Sequence, residues 1–302
     1  MRLNPIFERE LSVQSRSYVL PLIVVILNAI LFLAGLLGIF GVITRMQLSA
    51  EHDYGAFLGI YAMVALLSFG LLVLITPSLS AGALSGERQA GTLDLLLTTQ
   101  MSPAQIVTGK LASSAWMLAV LICSALPALL VPPVFGGVSM SRTLLLLAVF
   151  FGEAVYLLSV GIFASSFGRS QMRSGALAYG MTAALCIGTL LLAVLLRPLS
   201  GEGKNGAAYL LVLNPFATMG AMLAQILGEG RLLLAAFRDL NLLADSAFLR
   251  FFVPLSLLFQ LAFSFLLILT AVVNITPVRG AVKRRESRNV GEAKAEGVNR
   301  PT

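Results

Sequence analysis

Few residues in this sequence could do chemistry, and the first to stand out is a lone carboxylate. Glu153 is the eleventh residue of an otherwise uncharged apolar run from 143 to 165. An acidic side chain at mid-bilayer costs about 2.5 to 3.5 kcal/mol on insertion scales, so it must face a partner or a wet cavity. Asn28 and Gln260 stand at similar depth in two other apolar runs, and either could hydrogen-bond it. The three are candidate polar residues of a translocation path. Glu153 has two readings, a proton or cation site, or a protonated packing group bonded to a neighbouring helix, and packing is the reading adopted. Other chemistry is excluded. His52 is the single histidine, Cys123 and Cys186 fall inside apolar runs, and no aspartate lies in any run. No zinc site, aspartyl pair or disulfide framework is expected, and no catalytic residue or metal ligand is assigned. Nor is there a phosphate-binding G-x-x-x-x-G-K-[ST] loop, because Gly109-Lys110 is followed by leucine.

The elements that must position these residues are six apolar runs: 18–43, 56–79, 111–134, 143–165, 175–196 and 251–275. Each is long enough for a helix to cross a hydrocarbon core, which takes ~20 residues. The runs are continuously apolar, so helices that satisfy their own backbone are expected instead of alternating barrel strands. Hydrophobic residues make up 58% of the chain and charged residues 12%, about half the usual ~25%. The expectation is an all-α integral membrane protein with six transmembrane helices, and it excludes a soluble enzyme, a disordered chain and a nucleic-acid partner. The net charge of +7 then has a topological meaning. Basic residues precede span 1 (Arg2, Arg9, Arg16), lie between spans 2 and 3 (Arg88, Lys110) and between 4 and 5 (Arg169, Arg173), and recur after span 6. Arg45 and Arg142 are the only ones in the two short opposite loops, so the positive-inside rule puts both termini in the cytoplasm of a cell (inner or plasma) membrane.

Between the spans the sequence carries finer signals. Leu3, Ile6, Phe7 and Leu11 recur at helical spacing, which predicts an N-terminal amphipathic helix at the interface. Segment 81–110 is too polar to continue span 2. Gly91 punctuates it, Thr92 can cap a short helix with Asp94 in its first turn, and Ser102-Pro103-Ala104-Gln105 reads as a capping box. Ala176, Gly180, Ala184 and Gly188 form a small-residue ladder in span 5, fit for close helix packing within the chain or across a dimer. Between spans 5 and 6, residues 207–227 are apolar but broken at Asn214-Pro215, and 231–249 are amphipathic. We read this pair as re-entrant or interfacial helices, against the competing reading of two extra spans. The tail 276–302 is basic, with Lys283, Arg284, Arg285 and Arg288 placed to meet anionic lipid headgroups, and is expected to be disordered.

One resemblance adds to this. Glu87, Arg88, Gly91-Thr92, Leu95 to Leu97, Ser102-Pro103 and Gly109-Lys110 resemble the "E-R-x-x-G-T-L-x-x-L-L … S-P … I-V-x-G-K" loop of ABC-2 type transporter permeases. Asn4-Pro5, Glu8 and the stretch from Ser165 to Ala176 are similar to that family as well. The resemblance implies that residues 1–275 form an ABC-2 type transmembrane domain. It implies a coupling helix between spans 2 and 3, carrying Glu87, Arg88, Gly91, Thr92, Asp94, Ser102 and Pro103, that docks on a separate ATP-binding subunit. It further implies that ATP and Mg belong to that subunit, that this chain binds no cofactor and is not an enzyme, that a second permease subunit completes a dimer, and that export is the direction. The alternative from another class is a stand-alone secondary transporter or channel using Glu153.

Overall fold

The computed structural model describes residues 5–49, 55–98, 101–134, 138–196, 205–227 and 246–276. Those residues are almost wholly helical, with no strand among them, as continuous apolar runs require. A short helix α1 (Pro5–Ser15) leads into α2 (Val19–Ser49), α3 (Gly55–Ala81) and two short helices, α4 (Ser85–Gln89) and α5 (Thr92–Thr98). Then come α6 (Pro103–Val134) and α7 (Met140–Phe167). The fifth long helix is composite: α8 (Gln171–Ala183), one π-helical turn (Ala184–Gly188) and α9 (Thr189–Leu196). A 3₁₀ segment (Asn205–Leu213), α10 (Pro215–Leu227) and α11 (Ser246–Ile275) complete the described chain. Among the described residues, six helices are long and apolar enough to cross a membrane.

Helix α7 is the axis of the bundle. Two thirds of its apolar window is buried (67%), against 11% for α2 at the periphery. Small residues give it that place. A Cβ on Gly161 would lie 1.8 Å from Ser80 Oγ, so α3 and α7 cross at a distance only glycine permits. Helix α2 instead turns Leu22, Val25, Leu36 and Phe40 outward. So large an apolar surface suits acyl chains and would be intolerable in water. Three buried hydroxyls of α3 are satisfied within the helix: Ser68, Thr76 and Ser80 each donate to the carbonyl one turn earlier.

Two layers pack around this axis. The main core includes Phe69, whose ring meets Phe150 of α7 at 5.6 Å and Phe216 of α10 at 5.3 Å. A smaller cluster at the other end joins Ile6, Leu84, Ile106, Ile162 and Ile275, and so ties α1 to the ends of α6, α7 and α11.

Between the fifth long helix and α11 the chain makes a hairpin. The 3₁₀ segment packs along α9 and turns at Asn214, and α10 returns. Asn214 Nδ2 donates to the Cys186 carbonyl (2.7 Å) and to Thr189 Oγ1 (2.8 Å), while its Oδ1 accepts from Ala217 N (3.1 Å). It therefore caps α10, with Pro215 at the first helical position. The Cys186 carbonyl it engages lies in the π turn, where the backbone ladder is widened. At the other end of α10, Arg142 Nη1 donates to the Ile226 carbonyl at 2.8 Å. So α10 runs from the bundle interior to the Arg142 end and is buried along most of its length. Most of the amphipathic stretch 231–249 and the tail beyond Thr276 lie outside the described residues, and Ser246 already belongs to α11.

Candidate functional site

Two polar centres stand out from this apolar bundle, one at each level. The first is built on α4. Leu84 and Ser85 begin it, and both their amides donate to Ser165 Oγ of α7 at 2.9 Å. The side chains that follow reach in opposite directions. Glu87 Oε1 accepts from Lys110 Nζ of α6 at 2.9 Å, and the same ammonium pairs with Glu10 of α1. Arg88 Nη1 donates to the Gly168 carbonyl at the end of α7 (3.0 Å), and Gln89 Oε1 accepts from Gln171 N at the start of α8 (3.1 Å). Helix α4 is thus fixed to α1 and α6 on one side and to α7 and α8 on the other. A polar cavity of about 400 Å³ opens beside it, lined by Glu10, Glu87, Lys110, Ser113, Ser114 and Gln171.

Gly91 then reverses the chain with φ of +71°, a conformation that favours glycine. The expectation for Thr92 is corrected here. Helix α5 begins at Thr92 itself, and the Thr92 hydroxyl, instead of accepting from helix amides, donates back to the Glu87 carbonyl at 3.2 Å and to the Glu87 carboxylate. Asp94 stands in the first turn of α5, whose Leu95 is exposed. The capping box forms as expected: Ser102 Oγ accepts from Gln105 N (3.2 Å) and Gln105 Oε1 accepts from Ser102 N (2.9 Å), with Pro103 opening α6.

The second centre surrounds Glu153 in the core. Its side chain is fully buried, and Thr218 of α10 and Gln260 of α11 face the carboxyl. Neither meets it in hydrogen-bond geometry, and both carboxyl oxygens lack a hydrogen-bond partner, as does Gln260 Oε1. Around them Gln260 Nε2 contacts Thr218 Oγ1 and Ser256 Oγ at 3.0 Å and the Val212 carbonyl at 3.2 Å. Ser256 Oγ lies 2.6 Å from the Val212 carbonyl and 2.5 Å from Thr218 Oγ1. Asn28 does not join them: its Nδ2 donates to the Val24 carbonyl of its own helix at 2.9 Å, which corrects the expectation that it bonds Glu153.

The span 5 ladder faces away from the bundle. Ala176, Gly180 and Ala184 are exposed and Gly188 is half-buried, while Ser174, Ala178, Thr182 and Cys186 occupy the inward face. The space next to Gly180 is open. Among the described residues, packing within the chain uses the opposite face.

Several members of both centres escape sequence reasoning. Lys110 reads as a topological charge and as the end of the family-like loop, with no ion pair in view, and Glu10 as part of an amphipathic helix; Asn214 reads as a helix break. Thr218 and Ser256 are small hydroxyls in apolar runs. One signal was available, the i, i+4 spacing of Ser256 and Gln260, which puts two polar groups on one face of α11.

No curated protein matches the chain in sequence. The family described as ABC-2 family transporter protein matches residues 5–276, from the first residue of α1 to the turn that closes α11. That match takes in both polar centres and every long helix, and the chain belongs to the ABC-2 transporter family, a multi-pass permease component of an ABC transporter.

Proposed function

We propose that this permease receives the stroke of ATP-driven closure through α4 and α5 and converts it into opening and closing of the bundle. In this reading ATP and Mg are bound by a separate ATP-binding subunit, the kind of partner this family works with. The exposed face of α5, which carries Leu95, meets that subunit. Helix α4 passes the displacement to α6 and α1 through Glu87, Lys110 and Glu10, and to α7 and α8 through Arg88 and Gln89. The observation that carries the proposal is this two-sided attachment of a five-residue helix. A packed, hydrogen-bonded element moves as a unit, so a push on α5 reaches helices on both sides of the bundle.

The rest of the machine follows from the same reading. Two permease chains assemble through the outward ladder of the fifth long helix. Both termini face the cytoplasm of the cell membrane, as the basic residues require. The hairpin ending in α10 is re-entrant from the opposite side, and the transported molecule is exported. The work is conformational, so no catalytic residue is needed.

The test is co-reconstitution of the permease with its ATP-binding subunit in proteoliposomes, reading ATPase activity against that of the ATP-binding subunit alone. Glu87→Lys puts a like charge against Lys110, and Thr92→Pro removes the hydroxyl that ties the start of α5 to Glu87. Each should abolish the permease-dependent part of the activity while membrane insertion stays normal. Permease-dependent ATPase at the wild-type level in both variants would overturn the coupling role of this segment.

A further inference from the structure

The donors and acceptors around Glu153 do not balance. The cluster supplies four polar hydrogens: two on Gln260 Nε2 and one each on Thr218 Oγ1 and Ser256 Oγ. All four have acceptors inside the cluster, namely the Val212 and Asn214 carbonyls and the two hydroxyl oxygens themselves. The neighbouring donors are spent too. Tyr156 Oη donates to the Leu213 carbonyl at 3.3 Å, and Asn214 Nδ2 is held by the π turn. The orientation of the Gln260 amide is fixed by the Val212 carbonyl at 3.2 Å, which would repel an oxygen placed there. Three acceptor oxygens are left over, both of Glu153 and Oε1 of Gln260, all fully buried.

Three unpartnered acceptors in a low-dielectric interior call for positive charge. An unpaired buried carboxylate costs far more than one bundle can offset. No lysine or arginine lies in the six apolar runs to neutralise it. Among the described residues, the titratable groups that face Glu153 are Tyr156 of its own helix and Cys186 of the π turn, neither of them basic, and α10 and α11 present Thr218 and Gln260. We propose that the Glu153 carboxyl and Gln260 Oε1 form a binding site for one monovalent cation, a proton or an alkali-metal ion. Either would neutralise the carboxylate and pair the leftover oxygens; an alkali-metal ion would take them as hard oxygen ligands. The site lies where the 3₁₀ segment gives way to α10, so its occupancy joins that hairpin to α7 and α11. This inference does not depend on the coupling role of α4 and α5, and either can fail alone.

The test uses the full chain in lipid nanodiscs and two kinds of probe, alkali-metal ions and protons. Thermal unfolding is followed while choline is exchanged for sodium or potassium at constant ionic strength and pH 8.5, and separately while pH is lowered from 9 to 6 in choline. Saturating a site in the folded state should raise the wild-type midpoint by about 5 °C or more. Glu153→Gln should abolish that response and Glu8→Gln, at an exposed position, should keep it. A response to sodium or potassium identifies a metal ion, and a response to acid alone identifies a proton. Labelling of wild-type Glu153 by a hydrophobic carbodiimide, read by peptide mass spectrometry, covers the case in which Glu153→Gln does not insert. It should slow at least tenfold with saturating metal ion or at high pH. Midpoint and labelling rate that ignore all three ions, or a midpoint response that Glu153→Gln retains, would overturn the site and leave Glu153 a packing group.

Discussion

Lys110 and Glu153 are both buried ionisable side chains, yet the chain treats them in opposite ways. Lys110 is 6% exposed and is met by two carboxylates from two other helices. Glu153 is fully buried and is met by neutral groups whose hydrogens are already committed. The first centre carries its own countercharge, and the second leaves its charge to be settled by something from outside the chain. A polar centre that must transmit force benefits from being closed. One that must respond to a solute has to be left unsatisfied by the protein itself.

The strongest way to break that contrast is to remove the closed centre's cation. Lys110→Met keeps the length of the side chain but leaves Glu87 and Glu10 facing each other in a partly buried site. Because both carboxylates keep some exposure, 14% and 22% for Glu87 and Glu10, the loss should fall near the lower end of the range for a broken buried pair, about 3 kcal/mol. Thermal unfolding of the purified chain measures it, and Lys110→Arg should recover most of it. A Lys110→Met midpoint within 1 °C of wild type would show that the cluster is not a mechanical joint.

A smaller effect is expected when the open centre loses a neutral member. Ser256→Ala removes a donor to the Val212 carbonyl and a neighbour of Gln260 Nε2, at a cost of about 1 to 2 kcal/mol. It frees no charge, so it should weaken folding less than Lys110→Met. The same unfolding assay ranks them, and the reverse order would mean that the membrane cluster is the more tightly integrated of the two.

The smallest effect on the isolated chain belongs to the ladder. Gly180→Leu adds a side chain where nothing lies within 4 Å, so monomer stability should change by no more than about 0.5 kcal/mol. Assembly should nonetheless suffer, because a larger side chain holds two helix backbones apart. Native mass spectrometry reads the dimer fraction, with Ala183→Leu, also exposed, as the matched control. Thr182 would be a poor control, since its side chain is buried. A dimer fraction unchanged by Gly180→Leu would remove the ladder from the interface.

How much of this could be read beforehand differs between the two centres. The segment from Glu87 to Pro103 announces itself locally: glycine, threonine, a serine-proline pair and glutamine at capping distance dictate turns and helix starts over a few residues. The Ser102 and Gln105 reciprocal bonds follow from that spacing alone. Thr92 shows the limit. Helix α5 starts at Thr92 itself, so Thr92 is not the residue before the helix, and the bend at Gly91 brings Glu87 within reach of its hydroxyl proton. Asn28 shows another limit, because depth in a span does not say which way a side chain points around a helix. Its amide is satisfied one turn back along its own helix, with no need for Glu153.

The sequence by itself determined the architecture. Continuous apolar runs of helical length admit no other backbone in lipid, and their flanking charges determine which way they insert. Only the tertiary structure decided the partners: that Lys110 meets acids from two other helices, that Asn214 docks a hairpin on a π turn, that the ladder looks outward and that the Glu153 carboxyl is left without a hydrogen-bond partner. The physical reason is range. Hydrophobic length and capping act between residues a few positions apart, whereas these pairings join positions from 23 to 107 residues distant. They exist only where helix rotation and crossing have already been set by the small residues of α7.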